Sequence, residues 1–231
     1  MRDQNLRETV VATRNKKKLE EIKQIMKGLN LKILSLEDFP SAPYVKEDGK
    51  TFLENAVKKA LRIARFTRRL TLGEDSGLCI DALGGVPGIY SSRFSGREKN
   101  DVKNNRKVLE SLEGIPLKRR SAHYVCAVAL ADNDGVVGVT GGKCNGLIGF
   151  ELKGAQGFGY DPLFLVPKYK KTFAQMGPAV KHKMSHRYKA LKKAKSIIER
   201  YYKNRDTSHF SRKIARRKMG CVPIKDRPIG H

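Results

Sequence analysis

Four short segments place reactive residue types where packing does not call for them. Thr13-Arg14-Asn15-Lys16-Lys17-Lys18 follows an apolar stretch and opens a helical pattern. Backbone N–H groups, a helix dipole and lysine charges would converge there on a phosphate. It lacks the glycines of a P-loop, and taken alone it reads more simply as a capped helix with a solvated lysine run. Glu47-Asp48-Gly49 sets two acids before a glycine, which suits Mg²⁺ but taken alone reads as a solvated turn. Glu74-Asp75-Ser76-Gly77 stands just past an apolar strand, where carboxylates of an α/β sheet often face the ligand crevice. Hard oxygen ligands for Mg²⁺ would support phosphoryl chemistry at that point; a turn with a cap is the equal alternative. Lys181 to Arg187 combines cationic donors with a capping Ser185. His182 and His186 have the spacing of two helix-borne zinc ligands, but no glutamate of an HExxH pattern accompanies them, so zinc is a poor reading.

The elements that must position these segments alternate between strand and helix. Residues 9–13 read as a short buried strand, and Asn15 caps a helix to about Gly28 through Leu19, Ile22, Ile25, Met26 and Leu29. Residues 32–36 form a second strand, and 37–50 a loop rich in proline and acids. Thr51-x-x-Glu54 is a capping box that starts a helix to about Arg68, with Phe52, Ala56, Ala60, Ile63 and Phe66 towards the core. A strand over 70–73 leads into Glu74. Beyond the irregular loop Gly84 to Gly88, a helix over 101–112 precedes a long strand over 121–131. Asn133-Asp134-Gly135 turns that strand into a partner over 136–140. Gly157 to Pro162 is a loop followed by an apolar stretch over 163–166, and Ser185 caps a last helix. The pattern predicts a mixed α/β domain with a long central sheet.

The 231 residues suffice for a sizeable core, and their net charge of +25 favours polyanions: nucleic acid, nucleotides or an anionic membrane surface. Charge alone does not choose among them. The longest apolar run, Tyr124 to Ala131, has eight residues, against about 20 for a membrane-spanning helix. The N-terminal residues lack the apolar stretch of a secretory signal. Cys79, Cys126, Cys144 and Cys221 lie far apart and form no CxxC pair, which argues against a disulfide scaffold or structural zinc and for a reducing cytoplasmic setting. Residues 204–231 hold eight Lys+Arg and two Asp; they read as a basic tail, flexible when unbound, appended to a domain over 1–203.

Taken together, VVATRNKKK, EDGKTFLENAVKKA, LGEDSGLCIDALGGVPGIYSSRFSG, GFGYDPLF and KMSHRYKAL resemble, in order, the inosine triphosphate pyrophosphatase family. The ordered set is specific where any single tripeptide would be weak. The resemblance implies an elongated α/β domain of two lobes, a long mixed sheet flanked by helices, and an active-site cleft between the lobes. It implies a Mg²⁺-dependent homodimer that splits non-standard purine nucleoside triphosphates (ITP, dITP, XTP) into monophosphate and pyrophosphate. Carried onto this sequence, Thr13, Asn15 and Lys18 contact the phosphates, with Ser76 beside them and Lys59 in the same cleft. Glu47 and Asp75 handle the metal, and Asp75 accepts the proton of the attacking water. Phe158, Gly159, Tyr160 and Asp161 bind the nucleoside, and Lys181, His186 and Arg187 complete the base pocket.

Those roles suit the residue types. The lysines attract an anionic triphosphate. Arginine carries donors and no acceptor, so Arg187 can bond a 6-oxo purine but not the 6-amino group of adenine, a mismatch worth ~10⁴–10⁵ in discrimination. Arg14 replaces the family's usual glycine and could crowd or charge the phosphate site; Tyr188 replaces another and could alter the rim of the base pocket; Glu74 stands where aspartate is common and keeps the charge. A second reading is a nucleic-acid-binding protein on an inherited hydrolase fold, with salt-dependent binding through the basic tail; no RRM, KH or zinc-finger pattern supports it.

Overall fold

The apolar run that starts at Thr9 lies in strand β1 (Arg7–Val11), and Asn15 caps helix α1 (Lys16–Met26) by accepting the Lys18 N–H at 3.1 Å. The computed structural model describes residues 7–219; for Pro178, Ala179, His182 and residues 207–219 it describes the backbone alone. Strand β2 (Leu31–Leu34) follows, then helix α2 (Phe52–Thr67), whose cap Thr51 accepts the Glu54 N–H at 3.1 Å. Next come β3 (Leu70–Ile80), α3 (Asp101–Ser111), β4 (Ser121–Ala131), β5 (Val136–Ile148), β6 (Phe164–Val166), β7 (Lys171–Thr172), α4 (Phe173–Met184) and α5 (His186–Met219).

The strands form one mixed sheet in the order β2-β1-β3-β4-β5-β6-β7. Strands β2, β1 and β3 run parallel, because α1 and α2 carry the chain back across the sheet between them. The remaining neighbours are antiparallel. Two core clusters divide the sheet along its strands. One gathers Val11, Ile22, Leu70, Leu72, Val128 and Leu191; the other gathers Leu78, Ile80, Val108, Tyr124, Phe164 and Phe173. Residues 74–77 of β3 lie between Leu72 and Leu78, at the divide.

Four elements depart from the sequence expectation. Strand β3 does not stop at Gly73: Thr71 to Ile80 pair with Ala122 to Ala131 throughout, so Glu74, Asp75 and Ser76 lie inside the strand rather than past its end. Ladder pairing there overrides a polar sequence that reads locally as a turn. Strand β5 runs on to Ile148. Helix α4 escapes the sequence pattern because Gly177, at φ +72°, breaks it in two. Helix α5 continues as helix to Met219, through the first part of the stretch read as a tail; residues 220–231, with Cys221, lie outside the described residues. One side chain expected in the core, Phe66, is 45% exposed.

One close approach sets the base of α5. A Cβ on Gly142 of β5 would stand 2.1 Å from the His186 carbonyl oxygen and 2.8 Å from the Ala190 nitrogen. Only glycine lets the helix carrying His186 and Arg187 lie directly on the strand.

Candidate active site

The two acids in the middle of β3 serve two separate groups of partners. Glu74 is fully buried, with Lys18 Nζ 2.9 Å from one carboxylate oxygen and Arg187 Nη2 3.1 Å from the other. The Cys126 thiol donates to it at 3.3 Å. Burial alone would push the Glu74 carboxyl up, but the Lys18 and Arg187 cations hold it well below the ordinary range. Asp75 instead accepts from Asn55 Nδ2 at 3.2 Å and faces Lys59 Nζ at 3.5 Å. Burial raises its pKa, helped by Glu47 and Glu74 and opposed by Lys59 and Lys18.

Lys59 brings the first acidic loop into the same place. Its ammonium lies 3.0 Å from Glu47 Oε1. Arg93 Nη2 donates to the Glu47 carbonyl at 3.2 Å, and Asn55 Oδ1 accepts the Gly49 N–H at 2.8 Å. One asparagine therefore ties the acidic loop to Asp75, and the Gly49 bond fixes which way its amide points. Two carboxylates share one cation here. Hard oxygens that converge on a positive charge fit Mg²⁺. Among the described residues no group of three or more His, Cys, Asp or Glu is poised to hold a metal, so phosphate oxygens would have to share its coordination.

The strand–helix junction after β1 forms the next wall. Thr13 Oγ1 accepts the Asn15 N–H at 3.2 Å. Arg14 turns its guanidinium onto the Ala42 carbonyl at 3.2 Å. Lys18, one turn into α1, is the member of the lysine run that reaches Glu74.

The residues expected to form a base pocket meet through an acid that the sequence reading did not single out. Glu21, on α1, accepts from Lys181 Nζ at 3.1 Å and from Arg187 Nη1 at 2.5 Å. It lies one turn beyond Lys18 on the same helix, the spacing that could have pointed to it. Lys181 also reaches Asp161 Oδ2 at 2.6 Å, and Arg187 Nη2 reaches Ser76 Oγ at 2.9 Å. Asp161, pushed up by burial and restrained by Lys181, also accepts the Phe158 N–H at 2.9 Å. The Phe158 ring has Lys17, Lys181 and Arg187 within 5.9, 5.0 and 5.6 Å of its centroid. His186 is buried and stacked on Tyr124 at 4.6 Å, and its Nδ1 has no hydrogen-bond partner among the described residues. Burial, with Arg187 nearby, drives its pKa well below the usual value, so it is neutral at pH 7. The His182 side chain lies outside the described residues. Tyr188 is partly buried and packs against the core cluster under α5.

Ion pairs thus link Lys18, Glu74, Arg187, Glu21, Lys181 and Asp161, with Ser76 bonded to Arg187 and the Lys59 group alongside. Asn55, Asp101 and Asn105 also touch site residues and carried no sequence signal beyond polar type at a helix start.

The chain is similar to known proteins over most of its length. The sequence profile of the Ham1 family matches residues 9–197. A protein of Desulforamulus reducens named dITP/XTP pyrophosphatase is 49% identical over 193 residues, covering 84% of this chain and 96% of that protein. One of the same name from Geobacter sulfurreducens is 48% identical over 182 residues, covering 79% and 92%. Among solved structures, a HAM1 protein from Coxiella burnetii superposes with a TM-score of 0.77 at 37% identity, covering 84% of this chain and 98% of that one. The Staphylococcus aureus Ham1 protein superposes with a TM-score of 0.75 at 35% identity, covering 83% and 98%.

Proposed function

The chain belongs to the Ham1 family, and from that membership we propose that its cleft hydrolyses non-standard purine nucleoside triphosphates to the monophosphate and pyrophosphate. The reading is supported above all by one observation: Lys18, Lys59 and Arg187 face the buried carboxylates Glu74 and Asp75, and Lys181 joins them through Glu21. Glu21, Glu47 and Asp161 also hold these cations, and an incoming triphosphate would compete for them beside Asp75, a group able to take a proton.

In this mechanism Thr13, Asn15, Lys18 and Ser76 hold the phosphates, with Lys59 offsetting charge beside Asp75. Asp75 takes a proton from the attacking water. Its raised pKa brings it towards the range of a useful base, and the Asn55 amide aims one of its oxygens. Glu47 and Asp75 would hold Mg²⁺, which when bound neutralises phosphate charge. Phe158 offers its ring to the purine, and the Gly159–Asp161 backbone and Asp161 carboxylate shape the loop around it.

Lys181, neutral His186 and Arg187 face the base edge. Without substrate the Arg187 donors are taken by Glu21, Glu74 and Ser76. A 6-oxo group can take the place of one of these acceptors; a 6-amino group cannot, which disfavours ATP. We place the enzyme in the cytoplasm as a homodimer. Its thiols at Cys79, Cys126 and Cys144 are free, as a reducing compartment would keep them, and sedimentation would check the dimer. Separation of the products tests the reaction: IMP and pyrophosphate from ITP support it, whereas IDP and orthophosphate would mean a different hydrolysis.

A further inference from the structure

Helix α3 takes no part in the mechanism above, yet its first two turns grip the loop assigned to the nucleoside. Asp101 Oδ2 accepts the Gly159 N–H at 2.8 Å. Asn105 Nδ2 donates to the Gly159 carbonyl at 2.8 Å and to the Asp101 carbonyl at 2.7 Å. Both sides of one residue in the loop are therefore held by one helix. Asn105 is 4% exposed, and its Oδ1 has no hydrogen-bond partner among the described residues. A flipped amide would set oxygen against two carbonyls, so the donor orientation is the one the surroundings allow. Gly159 stands at φ +64°, a conformation that side chains resist. Its neighbours on either side are the Phe158 ring above Lys181 and Arg187, and Tyr160, whose hydroxyl donates to the Ser91 carbonyl at 2.7 Å.

The adjacent residue, Asn104, secures the other loop. Its Oδ1 accepts from the Ser95 N–H and hydroxyl at 2.7 and 2.8 Å, and its Nδ2 donates to the Ser92 carbonyl at 3.3 Å. Between those serines stands Arg93, the residue that reaches the Glu47 carbonyl. Helix α3 is thereby anchored independently of the bonds it makes to Gly159.

We propose that Asp101 and Asn105 are positioning residues for nucleoside recognition: they fix the Gly159 peptide, and with it the height of the Phe158 ring over the base pocket. The proposal rests on the assignment of Phe158 to Asp161 as the nucleoside loop. Wild-type hydrolysis of ITP in the same assay checks the proposed activity, and a raised KM for ITP in Phe158→Ala checks the loop assignment; an unchanged KM there overturns the assignment and the proposal together.

The test uses the exposed member of the pair. In Asp101→Ala, loss of a charge-assisted bond to the loop should raise KM for ITP by about five- to twentyfold, with kcat within about twofold of wild type. Inhibition by pyrophosphate, which needs only the phosphate side, should be unchanged. Asp101→Asn keeps an oxygen acceptor and should restore KM most of the way. Asn105→Ala should repeat the KM effect in whatever fraction folds, as measured by active-site titration. An unchanged KM in Asp101→Ala overturns the proposal. So does an equal loss of pyrophosphate inhibition, which would mean a general structural defect.

Discussion

Glu74 and Asp75 are consecutive residues of one strand, and they answer to different partners: Glu74 holds Lys18 and Arg187, while Asp75 faces Lys59 and Asn55. Alternation along a strand separates them. One carboxylate is thereby tied into a buried ionic network, and the other keeps a raised pKa beside the acidic loop. This division lets a single strand supply the scaffold of the cation cluster and, in the proposed mechanism, a proton acceptor.

Asp75→Asn removes the acceptor while keeping shape and the Asn55 contact. Turnover of ITP should fall by about 10²–10⁴-fold, the usual contribution of a positioned base, while nucleotide binding measured by calorimetry persists. Full activity would exclude Asp75 from the chemistry.

Arg187→Met strands Glu74 and Glu21 as buried carboxylates short of a partner. Breaking a buried pair in this way costs about 3–5 kcal/mol, so the midpoint of denaturant unfolding should drop markedly as well as ITP binding. The double variant Glu74→Gln with Arg187→Met should recover part of the stability, because the orphaned charge at the strand is gone. A midpoint unchanged in the single variant would contradict the network.

Gly142→Ala should damage the base pocket from behind. The added Cβ meets the His186 carbonyl and the Ala190 nitrogen of α5, and backbone cannot move aside cheaply. Both the melting temperature and the affinity for ITP should fall, whereas an alanine at the exposed Gly84, where a Cβ meets nothing, should cost stability through its positive φ without touching affinity.

Stability should decline on acidification in two stages. His186 is neutral in the folded state, with its pKa well below the usual value of 6.5. Its contribution is complete above that pH. It is lost as pH falls below 6.5, where only the unfolded chain takes the proton. Glu74 and Glu21 have pKa values lowered from 4.5, so their contribution is complete above 4.5 and is lost below it as the unfolded carboxyls protonate first. Each such site gives a slope of up to about 1.4 kcal/mol per pH unit. Burial also lowers the His123 pKa, so His186→Gln should shrink the upper stage to the His123 part and leave the lower stage intact; an identical pH profile would show that His186 does not contribute.

Much of this was legible in the sequence. Asn15 and Thr51 announced their helices because capping is local chemistry, and the ordered motifs placed Asp75, Lys59, Lys181 and Arg187 in one cleft, where the structure brings them into one cluster. What escaped detection depends on distant parts of the chain. The strand character of Glu74 to Gly77 comes from pairing with β4, some fifty residues on. Glu21 looks like an ordinary helix-surface acid until α4 and α5 bring Lys181 and Arg187 to it. Asn55, Asp101 and Asn105 act through bonds to loops that no local pattern couples to them. Helix α4 was hidden by Gly177, whose conformation breaks the periodicity.

The central claim, a cleft that turns over 6-oxo purine triphosphates and rejects adenine, is tested most directly by kcat/KM for ITP and ATP side by side with Mg²⁺. The account predicts rapid pyrophosphate release from ITP and a value for ATP lower by orders of magnitude. Equal values for the two nucleotides would contradict it.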